Sequence, residues 1–314
     1  MGALGGGRSF RELVKDKERI IANTRPLGFV TACVDKIDLL EADSVVVDAD
    51  ILLEGHVSWT GRSSAEVSLC LRQQRQDSWQ PIIHAKFVMV AIDPFTKKVA
   101  SVHPVLAETP EQHQIIQAGK ESAEKRKQEL AESLLQVPPT AQEVARLHQL
   151  FLQTVAQEEH TFKHPKLPPA YVWSEDCILK NLIICFPQQR NLYGKIFGGF
   201  LMRMATELSY ANAAVFSRAR PTLVAVDDIM FRKPVEIGSL LYLSSQVCYC
   251  EGPYMQVRVH AEVVHPETGA QETTNTFHFT WRTSQDKPVR QIMPRTYSDM
   301  MLYVDGKRHF QEMQ

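Results

Sequence analysis

The second half of the chain alternates apolar and polar residues over long stretches rich in Val, Ile, Tyr, Phe and Thr. This period of two is typical of antiparallel strands that bury one face. The turn signal "EGPY" at 251–254 separates two of these stretches. The pattern predicts strands near 177–186, 222–233, 239–250, 254–265 and 271–283.

One stretch departs from this alternation. After "NLYGKIFGG" at 191–199, apolar residues recur at steps of three and four, as on a helix buried along one broad stripe. The predicted helix starts at 197 and runs for about 20 residues. Its apolar positions include Phe200, Leu201, Met204, Leu208, Ala211 and Val215. A long helix wrapped by a curved antiparallel sheet is an α+β architecture.

Three segments of the first half resemble segments of the second half in the same order. They are "VTACVDKI" at 30–37 with "TLVAVDDI" at 222–229, 52–72 with 241–263, and 84–93 with 274–283. We therefore predict two copies of one domain, at 1–106 and at 166–314, the second with a C-terminal tail. The residues ahead of the first match are too few for a full first strand and helix. The first copy is thus predicted to be truncated at its N-terminus.

The segment 107–165 between the copies has a different composition. Residues 109–133 are charged and helix-favouring, and a second helical stretch follows Pro138 and Pro139. We predict two linker helices bounded by prolines.

Composition excludes several classes of function. Apolar residues make up 44% and charged residues 23% of the 314 residues, which is typical of a soluble globular chain. The formal net charge of −1 gives no overall basic field for nucleic acid. Six cysteines without a Cys-x-x-Cys pair indicate reduced thiols of an intracellular compartment. No apolar run reaches the ~18 residues of a membrane span.

The N-terminal stretch 1–21 has no feature of a known targeting segment. It lacks the apolar core of a secretory signal. Glu12, Asp16 and Glu18 are unlike an acid-poor mitochondrial presequence. We therefore expect no presequence in this chain.

The Gly198-Gly199 pair at the mouth of the predicted helix is the first candidate site. Glycine lets backbone N–H groups at a helix start approach a polar group, such as an anion or a carbonyl oxygen. The alternative is that both glycines only allow the helix to lie close to the sheet. No Gly-x-Ser-x-Gly elbow is present, which disfavours an α/β-hydrolase route. The histidines at 260, 265 and 278 complete no metal motif, so we interpret them as structural or surface residues and expect no metal.

The residues around this helix resemble the hotdog-fold acyl-coenzyme A thioesterases, most closely the mitochondrial type with two tandem hotdog domains. The pattern is Asn-x-x-Gly-x-x-Phe-Gly-Gly, followed on the next strand by Val-Asp and Phe-x-x-Pro-Val-x-x-Gly. Its residues here are Asn191, Gly194, Phe197, Gly198, Gly199, Val226, Asp227, Phe231, Pro234, Val235 and Gly238. The likeness covers nearly all of 166–314 and is thinner but continuous over 26–160.

The resemblance implies a tandem (double) hotdog, each copy a curved antiparallel sheet around a long central helix. It implies hydrolysis of an acyl-coenzyme A thioester to a free acid and coenzyme A, with no cofactor besides the coenzyme A of the substrate. It also implies a homo-oligomer formed through the sheets and a location in the mitochondrial matrix.

The resemblance further implies roles for single residues. The thioester carbonyl would lie over the helix start, with backbone N–H groups near Gly198–Phe200 as oxyanion donors. Gly198 and Gly199 would leave room for the acyl chain, beside Gly194 and Phe197. Asn191 would hold the nucleophilic water or the carbonyl. Asp227 would face either a substrate mouth or a domain interface.

The chain departs from the family pattern at the general base, a carboxylate that activates the water. In many relatives an acid lies seven positions after the second glycine, where this chain has Thr206, and Glu207 follows. Because a helix turns by ~100° per residue, Glu207 does not point where that acid would, and its extra methylene compensates only in part. We nevertheless predict Glu207 as a catalytic candidate. The tandem type pairs Asn of one copy with an acid of the other, and the first copy offers Asp16, with Glu12 and Glu18 as rivals.

Two other functions remain open. The first is a non-catalytic acyl-coenzyme A binding or assembly subunit that has lost a half-site. The second is a hydratase of the same fold, which would need an Asp/His dyad at the helix mouth, where the sequence has no His.

Overall fold

The computed structural model describes residues 27–40, 45–46, 48–75, 78–155, 162 and 165–313. The helices of this part are α1 (Pro110–Ala131), α2 (Ala141–Thr154), α3 (Gly198–Ser217) and α4 (Tyr297–Met313). The first strands are β1 (Gly28–Leu39), β2 (Ile51–Thr60), β3 (Ser64–Arg75), β4 (Ser78–Ile92), β5 (Tyr171–Trp173) and β6 (Ile178–Ile184). The later strands are β7 (Pro221–Phe231), β8 (Leu240–Glu251), β9 (Tyr254–Val264), β10 (Gln271–Thr283) and β11 (Gln291–Met293).

Nine strands form one antiparallel sheet in the order β2-β3-β4-β1-β7-β10-β9-β8-β6, and β5 pairs with β11 apart from it. The strand order is mirrored about the β1–β7 junction: β1, β4, β3 and β2 follow one another on one side, and β7, β10, β9 and β8 on the other. On the second side, β6 adds one more strand at the edge. Val34 pairs with Phe87 and Val226 with Phe279, so Phe87 is the counterpart of Phe279. The sequence alignment of 84–93 with 274–283 matches Phe87 with Phe277, so the pairing in the structure shifts this match by two residues.

The predicted central helix is present as α3, but its buried face matches the prediction only in part, because Leu201 is buried and Val215 is not. Val215 is 67% exposed, whereas Ala205 and Ser209 are fully buried. Asn212 is also buried because its Nδ2 donates to Cys177 O and Ser245 Oγ, both at 3.1 Å. Small side chains let the sheet curve closely around the helix, so Val215 lies on an outer side of α3.

The other face of the sheet is covered by α1, α2 and α4. Gly306 of α4 lies against Cys248 and Tyr249 of β8, on the side away from α3. The C-terminal segment, which the sequence analysis describes as a tail, contains the helix α4, whose Tyr303 and Phe310 are buried. The two predicted linker helices are present as α1 and α2, and each starts with a capping box.

The outer face of the sheet carries a continuous line of polar side chains. Directly paired residues on neighbouring strands point to the same face, and eight such residues follow one another across the sheet. This polar row consists of His56, Ser68, Lys86, Lys36, Asp227, His278, Arg258 and Gln246. It passes through the β1–β7 junction, where Lys36 pairs with Asp227.

The inner faces of the two halves differ in what covers them. On β8, Leu241, Leu243 and Val247 are fully buried beneath α3. On β2, Ile51 is 60% and Leu53 63% exposed. Within the residues that the structure describes, β2 thus lacks the cover that α3 gives β8. None of the helices in this described part combines the length and apolar character needed to cross a membrane.

An ion pair between α2 and α4 predicts a stability change at acid pH. Nε and Nη2 of Arg308 donate to Oε1 and Oε2 of Glu143 at 2.8 and 2.9 Å. This bidentate contact, with the Thr140 cap, lowers the pKa of Glu143 to about 2. Because the folded pKa lies below the unfolded value, the stabilisation is complete above about pH 4.5 and is lost as the pH falls toward 2.

We expect Glu143→Gln to lower the free energy of unfolding by about 1–2 kcal/mol at pH 7. Urea titrations at pH 7 and pH 3 measure the change, which should shrink at pH 3. Glu124→Gln, at an exposed contact of 3.9 Å with Lys120, is the matched control and should change little. An equal loss at both pH values would contradict the assignment.

Candidate active site

The start of α3 presents unpaired backbone donors. Phe197, the N-cap residue, makes no side-chain cap hydrogen bond. In the described part of the chain, the N–H groups of Gly198 and Gly199 have no acceptor. The Phe200 N–H donates to Phe197 O at 3.0 Å. Because the Phe200 N–H is already engaged, the available oxyanion donors are the N–H groups of Gly198 and Gly199.

Asn191 anchors a tight loop that runs into α3. Its Oδ1 accepts from the N–H groups of Tyr193 at 2.8 Å and Lys195 at 3.1 Å. Gly194, at φ +74°, supplies the left-handed residue that this turn requires. Because the side-chain oxygen Oδ1 already accepts two hydrogen bonds, the side chain of Asn191 can offer a ligand only the N–H groups of Nδ2. This favours a role toward a substrate carbonyl oxygen over the alternative of accepting from a water.

The space beside both glycines is filled by aromatic rings. A Cβ at position 198 would lie 2.9 Å from the ring of Phe231. A Cβ at position 199 would overlap the ring of Phe197, which is 58% exposed. The two rings occupy this space in the structure, so the path expected for an acyl chain stays a prediction that requires a ring to move.

The two glycines should differ in their tolerance of a methyl group. We expect Gly199→Ala to change stability little, because the exposed Phe197 ring can move away. Gly198→Ala should lower the thermal unfolding midpoint more, because Phe231 is held in a strand. Thermal unfolding of both variants measures the difference, and equal midpoints would show that Phe231 also yields.

Glu207, predicted as a catalytic residue, lies on an exposed side of α3. Its Oε1 accepts from Arg203 Nε at 2.8 Å, and its side chain is 55% exposed. Thr206, at the position of the usual acid, donates its hydroxyl to Met202 O at 2.8 Å. Neither residue completes a site with Asn191 inside this chain. In the described part of the chain, Glu207 is paired with Arg203, and its catalytic role stays a prediction.

Asp16, together with Glu12 and Glu18, lies outside the described residues. The point at which that segment joins the fold is described, however. The hydroxyl of Tyr193, two residues after Asn191, occupies the place where a side chain of Gly28 would begin. The Asn191 loop therefore touches the start of β1.

Asp227, predicted to bind substrate, lies on the outer face of the sheet and not at the mouth of α3. It is 9% exposed and lines a cleft of about 370 Å³ with Asp35, Lys86 and Arg126. The structure thus places it at the junction of the two halves, the second alternative for this residue. Neither this cleft nor one of about 250 Å³ beside Phe151 and Trp173 includes Asn191 or the start of α3.

The buried thiols do not offer a nucleophile. Burial raises the pKa of both Cys177 and Cys248 to about 12. A thiolate is the reactive form, so these cysteines stay protonated and inert near neutral pH. The chemistry that remains at the mouth of α3 consists of hydrogen-bond donors.

Comparison with known proteins identifies the family. The chain is 46% identical over 292 residues to the bovine and the human proteins named acyl-coenzyme A thioesterase 9, mitochondrial, which covers 93% of this chain and 66% of theirs. It therefore spans slightly less than two thirds of their length. It is 32% identical to acyl-coenzyme A thioesterase 2, chloroplastic, of Humulus lupulus, over 94% of this chain and 69% of that protein. No protein-family model matches the chain.

A solved structure supports the fold. The Lactobacillus plantarum protein named "oleoyl thioesterase (putative)" superposes with a TM-score of 0.50 at 13% identity, over 86% of this chain and 84% of that one. The sequence relatives identify the family as well as the fold, because their similarity extends over nearly the whole chain. This chain belongs to the acyl-coenzyme A thioesterase family.

Proposed function

We propose that this protein hydrolyses acyl-coenzyme A thioesters to a free acid and coenzyme A. The observation that supports it most is the corner formed by Asn191 and the uncapped start of α3. There the Nδ2 group of Asn191 and the N–H groups of Gly198 and Gly199 are donors without an acceptor among the described residues.

These donors fit the charge that develops in thioester hydrolysis. Attack of water on the carbonyl carbon moves negative charge to the carbonyl oxygen, and the thiolate of coenzyme A then leaves. Donors fixed in place stabilise that oxyanion by several kcal/mol without reorganisation. The water gives its proton to a carboxylate base, and no covalent intermediate with the protein is needed.

We infer that the fold is a tandem hotdog, with units at 1–106 and 166–314 joined by 107–165. The mirrored strand order on the two sides of the β1–β7 junction supports this interpretation. In such a pair the Asn of one unit works with an acid of the other. The contact between Tyr193 and Gly28 supports a partner acid in the segment that leads into β1, with Asp16 as our first choice.

The binding or assembly subunit remains the second candidate. The observation that favours it is the position of Glu207, which is ion-paired to Arg203 away from Asn191. The names of the relatives favour a mitochondrial location. A homo-oligomer remains a prediction.

The direct test is release of free thiol from acyl-coenzyme A esters of increasing chain length. Turnover above the uncatalysed rate is expected for at least one chain length. Tight binding of these esters without thiol release would favour the binding subunit, and neither binding nor release would contradict both candidates.

The source of the base can be tested separately. We expect Asp16→Asn to lower turnover at least about tenfold, because the water then lacks its proton acceptor. Glu207→Gln should leave the rate unchanged, and it is the matched control on an exposed face.

If instead Glu207→Gln removes activity, Glu207 acts from a second chain. Mixing inactive Asn191→Ala and inactive Glu207→Gln chains would then restore turnover. An unchanged rate for Asp16→Asn would exclude Asp16 as the base.

A further inference from the structure

Two histidines and one carboxylate meet on the outer face of the sheet, where α4 lies on β10. His278 Nε2 is 3.3 Å from Asp305 Oδ2, and His309 Nε2 is 4.0 Å from Asp305 Oδ1. The two imidazole rings stack with centroids 3.9 Å apart. The side chains of His278 and His309 are only 11% and 10% exposed, and that of Asp305 is 35% exposed. The cluster is thus nearly enclosed but open to solvent at the carboxylate.

The ring nitrogens of this cluster lack hydrogen-bond partners. Nδ1 and Nε2 of His278 and Nδ1 of His309 are buried, and none has a partner among the described residues. The contact between His278 and Asp305 is close, but it is not aligned as a hydrogen bond. A buried polar atom without a partner costs roughly 1–3 kcal/mol. Three such atoms at one point indicate that the cluster receives something that the described residues do not supply.

We propose that His278, Asp305 and His309 bind a divalent transition metal such as Zn²⁺. The three candidate ligand atoms lie within 4.8 Å of one another. Zinc takes nitrogen and carboxylate ligands at about 2.0–2.2 Å in a tetrahedron, which places two of its ligands about 3.4 Å apart, so the cluster has to contract when the ion binds. Asp305 and His309 are one helical turn apart on α4 and therefore project together. His278 supplies the third ligand from the sheet.

The protonation states suit a cation. Burial, reinforced by the neighbouring His309, lowers the pKa of His278 to about 4, so its ring is neutral and its lone pair is free near pH 7. Burial opposes ionisation of Asp305, but its contacts with His278 and His309 hold the pKa of that carboxyl below its usual range. The cluster therefore presents a carboxylate anion beside the neutral imidazole of His278.

Charged neighbours act in both directions. His278 stands in the polar row between Asp227 on β7 and Arg258 on β9. Asp227 attracts a metal ion and Arg258 repels it, so they leave the carboxylate of Asp305 as the main attraction. The rings are 23° from parallel, so their lone pairs do not yet converge. Binding therefore requires at least one ring to rotate out of the stack.

The test uses the full chain after treatment with a chelator. We expect isothermal titration with Zn²⁺ to give one tight site, and Zn²⁺ to raise the thermal unfolding midpoint. Asp305→Asn and His309→Gln should each weaken binding at least tenfold. His265→Gln, at an exposed turn, is the matched control and should bind as the unchanged chain does.

Cobalt distinguishes this site from rivals that use thiols. Cys70 Sγ and His84 Nε2 are 3.9 Å apart, and this pair is a rival metal site that would use a thiol ligand. Co²⁺ at the proposed site should give d–d absorption without a thiolate charge-transfer band, and Cys70→Ser should not alter it.

Three results would overturn the proposal. They are no binding at sub-millimolar Zn²⁺, equal affinity in both cluster variants, and a thiolate band that Cys70→Ser removes. If one cluster variant fails to fold, the other and the cobalt spectrum of the unchanged chain still decide.

Discussion

Asn191→Asp is expected to lower turnover at least 100-fold while leaving the fold intact. An aspartate keeps an oxygen that accepts from the N–H groups of Tyr193 and Lys195, so the loop is retained. It removes both N–H donors of Nδ2 and places a negative charge where the oxyanion forms. Loss of one such donor from a preorganised site costs about 10²–10³ in kcat.

Asn191→Ala is the comparison that separates the two roles of the side chain. It removes the donor and also the oxygen that holds the loop, so it should lower both kcat and the thermal midpoint. Steady-state thiol release and thermal unfolding of both variants give the answer. If Asn191→Asp keeps its rate, the Nδ2 donor has no part in the reaction and Asn191 serves only the turn.

Arg126→Met is expected to destabilise the protein by about 3–5 kcal/mol. Nη1 of Arg126 donates to Glu66 Oε2 at 2.7 Å and to Asp35 Oδ2 at 2.9 Å. Glu66 is fully buried, and its other oxygen accepts from Ser58 Oγ at 2.8 Å. Among the described residues, Arg126 is the cation that contacts both carboxylates, so its removal leaves two negative charges side by side in a largely buried site.

The pH dependence of this loss tests the cause. Burial already raises the pKa of Asp35 although Arg126 opposes that shift. Without Arg126 the Asp35 carboxyl can protonate on folding, so the deficit should be smaller at pH 5 than at pH 8. Lys127→Met, at the exposed neighbour, is the control and should change little. A deficit that does not vary with pH would indicate lost packing of the Arg126 stem instead.

The strands and the central helix could be predicted because each has a local period, and the linker helices because prolines bound a charged, helix-favouring composition. The buried face of α3 could not. Hydropathy favours Val215 over Asn212, but Asn212 is buried because a strand and a loop supply acceptors for its amide. Those acceptors come from distant segments, and no local pattern contains them.

The C-terminal helix was missed although it carries a signal. Thr296 Oγ1 accepts from Asp299 N at 3.1 Å, and Asp299 Oδ2 accepts from Thr296 N at 2.9 Å, which is a capping pair readable as Thr-x-x-Asp. The many polar residues of this helix obscure the apolar pattern in the sequence, although Tyr303 and Phe310 are buried in the structure.

The candidate site was predicted in part. Asn191 and the two glycines lie together because they are close in sequence. The engagement of Asn191 Oδ1 and the rings beside the glycines depend on loop geometry and on a distant strand.

The junction of β1 with β7 also determines when the sheet can be completed in the cell. About 190 residues separate Lys36 from its partner Asp227. At 5–20 residues per second, a ribosome delivers β7 roughly 10–40 s after β1. Among the described strands of the nascent first half, β1 and β2 are edges during that interval, and unpaired edges recruit other strands. Lower growth temperatures and chaperones that shield strand edges should therefore raise the yield of folded protein. The first half should be the part that aggregates during synthesis.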